Sequence, residues 1–420
     1  MSLLTNYIDN FKGFSREIWV LTLITFINRI GAMVMLFLTK YLHDYFYFSY
    51  TEIGWMLLCV GLGAFFGSWL GGKLTDLFGY YTVMLSSLFF TGFGIISIMF
   101  LYDFIEICIG LFIVTAIADS YKPAMYVAVS NFSNPENRTR ALTLVRLSVN
   151  IGIICGPIIA GLLIQKDNYD MLFWIDGLTC IIAITTFMFT IDESKIYKAR
   201  IIVYNRQIKS GAVKSSIFPD KNFLVFLLAS FFTAFLFFQL FTTIPLFNSN
   251  VLKLTEIQIG LLFSFNGILI FLFEMPLIGY LERRKLQATE IILSGSVLMT
   301  TGFVFLLFSN SIFVLISSIF FITLGQILLF SFSNKFALSR AIRGQEGKFM
   351  AFYSMTFGAA QILSPKIGFS IIEEYDYFSN WLFMCVFGAI GIFLYLKLDK
   401  SIKNESQIKS TKILNISTNS

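Results

Sequence analysis

Five charged residues, Arg29, Asp119, Lys122, Arg146 and Glu274, stand inside stretches that are otherwise almost wholly apolar. If those stretches lie in hydrocarbon, each charge costs about 2.5–3.5 kcal/mol on insertion scales, so it must face protein or water and have a task there. Such a set can make and break ion pairs. It can also exchange protons, because burial favours a neutral carboxyl group, nearby cations favour the ionised one, and the balance can bring titration close to cellular pH. At a rise of about 1.5 Å per residue, Arg29 lies about 18 Å and Asp119 about 20 Å into their stretches, the deepest charges of the set. Lys122 follows Asp119 at i,i+3, which permits a pair on one helix face. Arg146 and Asn150 share a face one turn apart, and Glu274, just before Pro276, has opposite charge at comparable depth. An Arg146–Glu274 contact is therefore expected, either opening and closing in a working cycle or serving as static packing, with Asp119 either the proton carrier, tuned by Arg29 and Lys122, or one half of a structural pair with Lys122.

Tyr126, Gln239, Asn266 and Tyr353 are the polar or amphipathic residues read as cavity lining. Asp176 falls only about 9 Å below the outer surface on the same rise and is expected to be water-exposed. Lys366, next to Pro365, is expected to snorkel or to line the cavity. A sparsely charged, aromatic-rich cavity suits amphipathic or cationic organic molecules better than sugars, which need more hydrogen-bonding side chains. Cys59, Cys108, Cys155, Cys180 and Cys385 lack the spacing of a zinc site or disulfide framework and read as small buried hydrophobes. A lone histidine, His43, excludes an imidazole-rich metal site. There is no nucleotide-binding GxxxxGK[ST] loop, no cofactor motif and no nucleophile–base arrangement, so neither ATP-driven transport nor catalysis is expected.

The elements that must position these residues are helices. Twelve apolar stretches run over 18–40, 52–71, 82–102, 105–129, 142–164, 171–191, 222–248, 257–280, 289–308, 311–333, 349–371 and 380–397. Each is near the roughly 20 residues needed to cross a bilayer. They are too long and evenly apolar for barrel strands. With 56% hydrophobic, 17% aromatic and 13% charged residues and a mean hydropathy of +0.76, a water-soluble core is excluded. The polar start before the first stretch has no small-residue cleavage site, so that stretch is expected to be retained. The order repeats once: Asn137-Arg138-Thr139-Arg140-Ala141, with Pro157 beyond it, matches Gln345-Glu346-Gly347-Lys348-Phe349 with Pro365 beyond it, and Thr51-Glu52-Ile53 matches Thr255-Glu256-Ile257. The reading is an all-α integral membrane protein of twelve transmembrane helices in two pseudo-symmetric six-helix bundles: 1–192, a basic linker 193–221, 222–398 and a polar tail 399–420. Parallel halves of this kind usually hold a substrate between them near the midplane.

Lysines and arginines gather in alternate connections with both termini, while Asp44, Asp103, Asp167, Asp170, Glu373, Glu374 and Asp376 occupy the others. Positive loops stay cytosolic, which places both termini inside. The net charge of +6 is thus a topology signal rather than a nucleic-acid footprint. Asn-x-Ser/Thr matches at Asn131, Asn137, Asn404 and Asn415 fall on the inner side and are expected to stay unglycosylated. The second stretch carries Gly63, Gly67 and Gly71 at four-residue spacing, a bare face that another helix can approach closely and that is expected to slide against the other half.

Between the second and third stretches the chain reads Gly72-Lys73-Leu74-Thr75-Asp76-Leu77-Phe78-Gly79, which resembles the G-x-L-x-D-x-x-G loop of the major facilitator superfamily. Gly152-x-x-x-Gly156-Pro157-x-x-Ala160-Gly161 is similar to the GxxxGPxxGG stretch of that family's antiporters, a bent, smooth helix expected to pack against the other half. Asn28-Arg29-Ile30-Gly31, Lys122-Pro123-Ala124, Asn150-Ile151-Gly152 and Phe173-Trp174-Ile175-Asp176-Gly177 look most like the bacterial multidrug-resistance branch. The resemblance spans all but the tail and implies that Asp76 latches a closed inner face through a neighbouring helix end and basic groups. Here Leu77, Tyr80 and Tyr81 stand at the usual basic positions, and Asp76 is also placed to cap the third helix. No basic residue lies between Lys73 and Lys122, so the early arginine of many drug/proton antiporters is missing.

These features point to a secondary transporter in a bacterial cytoplasmic membrane, monomeric, needing no cofactor beyond a proton gradient and binding a small-molecule substrate. Efflux of amphipathic compounds is the leading expectation. Proton-coupled uptake, of peptides above all, is the alternative, since Arg29 and Lys122-Pro123 weakly resemble features of oligopeptide symporters; against it, Thr25 and Asn28 stand where that family's motif has glutamates. A non-transporting receptor would find little surface in such short loops.

Overall fold

The computed structural model describes residues 11–32, 34–35, 38, 41–42, 45–134, 136–164, 169–191, 220–284, 286–308, 311–341 and 345–417. His43 and the predicted linker, apart from Asp220 and Lys221, lie outside the described residues, as do the side chains of Pro157 and Gly161. The helices are α1 (Arg16–Gly31), α2 (Tyr50–Phe78), α3 (Tyr80–Ile98), α4 (Phe104–Phe132), α5 (Arg138–Ile164), α6 (Tyr169–Thr190), α7 (Lys221–Gln239), α8 (Thr243–Asn250), α9 (Glu256–Arg283), α10 (Ala288–Phe305), α11 (Ile312–Arg340), α12 (Glu346–Glu374) and α13 (Tyr377–Ser417). No strand occurs among the described residues. Nine stretches among them are long and apolar enough to cross a membrane, with α7 and α8 together forming one.

Each of the twelve expected spans holds a helix among its described residues, the first of them over Arg16–Gly31, and the helix ends show what fixes them. A capping box starts α2: Ser49 accepts from the Glu52 backbone N–H while Glu52 accepts from the Ser49 N–H. The corresponding start of α9 repeats the device, with Thr255 and Gln258 bonding each other reciprocally. At α13 Asp376 accepts from the Ser379 N–H at 2.7 Å, and this bond holds its carboxyl below the ordinary range. The seventh span is broken. Leu240, Phe241 and Thr242 donate to carbonyls three residues back, and Pro245 follows with no N–H to give. Tight turns and a proline in the next helix's first turn are how a helix is interrupted and restarted.

Two compact units are recognisable. One comprises the described residues up to 191 with Ile270–Glu282 and those of 341–362; the other comprises those from 220 to Leu269, Arg283–Arg340 and those from Leu363 onward. In the first, α2 packs on α4, α3 on α4 and α6, and α1 on α5 and α6. In the second, α10 packs on α11 and α13, and α7 on α13. Three of these pairings are equivalents across the repeat, α3·α4 with α10·α11, α3·α6 with α10·α13 and α1·α6 with α7·α13, which is the pseudo-symmetry the sequence predicts.

Candidate functional site

Within the first unit, α5 meets the C-terminal part of α9 through two ion pairs. Arg146 Nε donates to Glu274 Oε1 at 2.7 Å, and Nη2 donates to the same oxygen. The Glu274 side chain is fully buried and that of Arg146 is 18% exposed. Further along, Arg140 Nε donates to Glu282 Oε2 at 3.1 Å, with Glu282 almost buried. Because numbers rise along α5 as they fall along α9, the helices run antiparallel and both pairs lie on one seam. Charges this far from water persist only when paired. The expected Arg146–Glu274 contact thus exists, and the Arg140–Glu282 pair joins it; Glu282 sits beside Arg283 and Arg284, so in sequence it reads as part of a charged connection.

A second polar contact joins α2 to the start of α12. The helix α2 runs through the motif to Phe78, so Gly72 and Asp76 lie on its last turns rather than in a loop, since nothing breaks the helix before Gly79. Gly79 has φ +89°, a conformation that favours glycine, and it divides α2 from α3. Asp76 does not cap α3. Its two carboxylate oxygens accept the Gly347 and Lys348 backbone N–H groups, each at 2.9 Å, at the N-terminus of α12. A carboxylate there satisfies donors that have no partner within the helix and complements its dipole. Gly72 makes this possible, since a methyl group on it would sit 2.5 Å from the Gly347 carbonyl oxygen. Gly61 faces Ile362 of the same helix in the same way. At the usual basic positions, Tyr81 instead stacks on Phe187 with ring centroids 5.0 Å apart.

The bare faces have other partners than the sequence led one to expect. Gly63, Gly67 and Gly71 pack against α4 of the same half: a methyl at Gly67 would lie 2.7 Å from Ala116 Cα, and one at Gly71 2.5 Å from Ser120 Cα. Gly152 and Gly156 of α5 meet the backbone of α1 at Arg29 and Ile30, again within one half. Small residues show that a helix comes close, not which one.

On α4, Lys122 Nζ pairs with Asp119 Oδ1 at 2.7 Å, their side chains 37% and 17% exposed. The described residues show no ion pair between Asp119 and Arg29, which lies beside Tyr121 and Cys180. Asn150 Nδ2 is buried without a hydrogen-bond partner among the described residues. Tyr126 is half-buried on α4. Asp176 is buried rather than water-exposed, because α6 turns it toward the chain after α1, where it accepts from Val34 N at 3.4 Å. Tyr353 is buried, edge-on to Phe357.

In the second unit, Gln239 is held by the fold itself. It is fully buried, donates to the Ser364 carbonyl and hydroxyl oxygens at 2.8 Å, and accepts from Thr243, closing the break between α7 and α8. Lys366 is exposed. Asn266 does line a small pocket, of about 10 Å³ and so with room for about one water molecule, donating to Thr323 Oγ1 at 2.6 Å. Its walls are apolar, from Leu240, Ile244, Ile259 and Phe263 among others. The other polar wall residue is Asn248, which sequence reasoning missed because it lies near the end of its span; its Oδ1 is buried with no partner among the described residues. Arg340 ties the unit's far end, forking onto Asp220 at 2.8 Å and reaching Glu405 at 2.9 Å.

The chain is 21% identical to the multidrug resistance protein MdtH of Aeromonas hydrophila subsp. hydrophila, over 82% of this chain and 84% of that one. It is 22% identical to the MFS-type transporter YttB of Bacillus subtilis strain 168, over 93% and 97%. Among solved structures, a bacterial homologue of the iron transporter ferroportin in its outward-facing state superposes with a TM-score of 0.73 at 15% identity, covering 92% of this chain and all of that one. The human organic anion transporter MFSD10 gives 0.70 at 13% identity, covering 91% and 100%. The Major Facilitator Superfamily model matches residues 19–365. Helices, half-repeat and family match agree: the chain is a multi-pass membrane transporter, not an enzyme, and belongs to the Major Facilitator Superfamily.

Proposed function

We propose that this transporter expels small amphipathic compounds from the bacterial cytoplasm in exchange for protons, working as a monomer in the inner membrane with both termini cytosolic. The observation that carries the reading is the ion pair of Asp119 and Lys122 inside the fourth span, a pairing that a proton can undo. The spans around it are rich in aromatic and poor in charged residues, a setting that suits a hydrophobic body oriented by one or two polar contacts, whereas a sugar would leave most of its hydroxyl groups unsatisfied. The distant likeness to a multidrug resistance protein supports the same substrate class.

Asp119 is the proposed proton carrier. While ionised it holds Lys122; once protonated it releases the lysine, and substrate and proton then compete for one group. The test is transport by the purified protein in proteoliposomes with an imposed pH gradient and a panel of amphipathic cations, neutral amphiphiles and peptides. Efflux-direction flux of amphiphiles driven by the gradient is expected. Asp119→Asn should abolish that flux while leaving substrate binding measurable. Gradient-driven transport by this variant would make Asp119 only half of a structural pair, and peptide accumulation by the unaltered protein would replace efflux with uptake.

Orientation has its own test. A cysteine at Asn404, exposed on the extension of α13, is expected to react with a membrane-impermeant maleimide only from the cytosolic side, and one at the exposed Glu373 only from outside. The reverse pattern in intact cells would invert the topology.

A further inference from the structure

The close packing of α2 on α4 brings together two cysteines that are far apart in sequence. Along this interface Gly63 faces Phe112 and Thr115, Gly67 faces Ala116 and Gly71 faces Ser120. Both helices advance four residues per step, so they run parallel in fixed register. One step back from Gly63 on α2 is Cys59, and one step back from Phe112 on α4 is Cys108. The side chains agree with the register: the Cys59 and Cys108 thiols are neighbours, both half-buried and both free.

From this register and contact we infer that Cys59 and Cys108 form a redox-active dithiol, convertible to a disulfide that fastens α2 to α4. A disulfide needs Cα atoms about 4.4–6.8 Å apart, a separation that only closely packed helices offer. Glycine contacts at the next three turns hold these two helices at such range. Cys59 lies about 10 Å along α2 from Glu52, and Cys108 about 7 Å along α4 from Asp103, so both sit near one membrane face rather than at its centre. By the charge distribution that face is the outer one, where oxidising conditions prevail.

The oxidant is a small apolar disulfide. One cysteine, as thiolate, attacks it, forming a mixed disulfide and releasing one thiolate. The second cysteine then loses its proton and attacks the protein sulfur of that mixed disulfide, expelling the other thiolate. Two protein thiols are oxidised and the external disulfide is reduced to two thiols.

The experiment exposes the full-length protein, in native membranes and in detergent, to 4,4′-dipyridyl disulfide, followed by alkylation and peptide mass mapping. A peptide linked through Cys59 and Cys108 is expected, lost on treatment with dithiothreitol. In Cys59→Ser or Cys108→Ser the remaining thiol should instead keep the pyridyl adduct, which also shows that the oxidant arrives, and a monodisperse elution profile like the parent's shows that the variant folds. Cys155, Cys180 and Cys385 serve as internal references for thiols with no cysteine neighbour among the described residues. Separate adducts on Cys59 and Cys108 without a link, or free thiols at both positions in detergent as well as membranes, would overturn the proposal.

Discussion

Glu274→Gln is expected to abolish transport while the protein still inserts, and Arg146→Ala is expected to do the same with a greater loss of stability. The carboxylate of Glu274 is fully buried and receives two bonds from one guanidinium. Removing either partner breaks a buried ion pair, a change that costs about 3–5 kcal/mol. Glutamine preserves shape and one hydrogen bond, so the variant separates charge from packing. If the seam between α5 and α9 must part for the cytosolic side to open, weakening it shifts the conformational equilibrium toward the open form, and both gradient-driven flux and the accessibility of cysteine probes on α5 respond. The charge-reversed double variant Arg146→Glu/Glu274→Arg supplies the control. Partial recovery of flux is expected from the double variant and none from either reversal alone. Full transport by Glu274→Gln with unchanged probe accessibility would reduce the pair to static packing. The Arg140–Glu282 pair is more exposed, so Arg140→Ala should have a smaller effect of the same sign.

The spans were legible because hydrocarbon imposes one simple rule on backbone and side chains, and the half-repeat supplied a second reading of each. The Arg146–Glu274 contact was legible for the same reason, since two opposite charges at one depth must find each other or water. Residues near the membrane surface are not bound by that rule. Arg140 and Glu282 lie among other charges, so no depth argument singles them out. Asp76 was found through its motif, but its partners are backbone N–H groups on α12, which carry no side-chain signature. Asp176, buried where its depth led one to expect water, and Gln239 show another use of such residues. Polar groups inside a span can be consumed by the fold itself, as Gln239 is in closing the break at Leu240–Thr242, and sequence does not tell such a group from one facing a cavity. The Cys59–Cys108 contact depends wholly on which helix covers the glycine face of α2, and that is a tertiary fact.

The same fact changes what a large side chain on that face should do. If the glycine face met the other half, Gly67→Leu would block movement and spare the fold. Packed against α4, it should instead break the first unit. At Gly67 even a methyl group would lie 2.7 Å from Ala116 Cα, closer than real side-chain carbons approach, and the obstacle is backbone that cannot rotate aside. Leucine adds further volume, so the helices must separate or the unit must not form; overpacking costs about 1–3 kcal/mol in adaptable sites and more where the neighbour is rigid. In a membrane, where close van der Waals contact is the main force between helices, separating the pair also loses what held it. Gly67→Leu is therefore expected to give little monodisperse protein and a melting temperature well below that of the parent. Gly54→Leu, on the same helix with open space beside it, is expected to behave like the parent. Gly72→Leu should fall between them, because it disturbs the contact with Gly347 and Ala351 on α12 while leaving α2 and α4 together. Thermal stability and transport measured on the three variants check the order, and a stable, monodisperse Gly67→Leu that fails only in transport would return the glycine face to the moving interface.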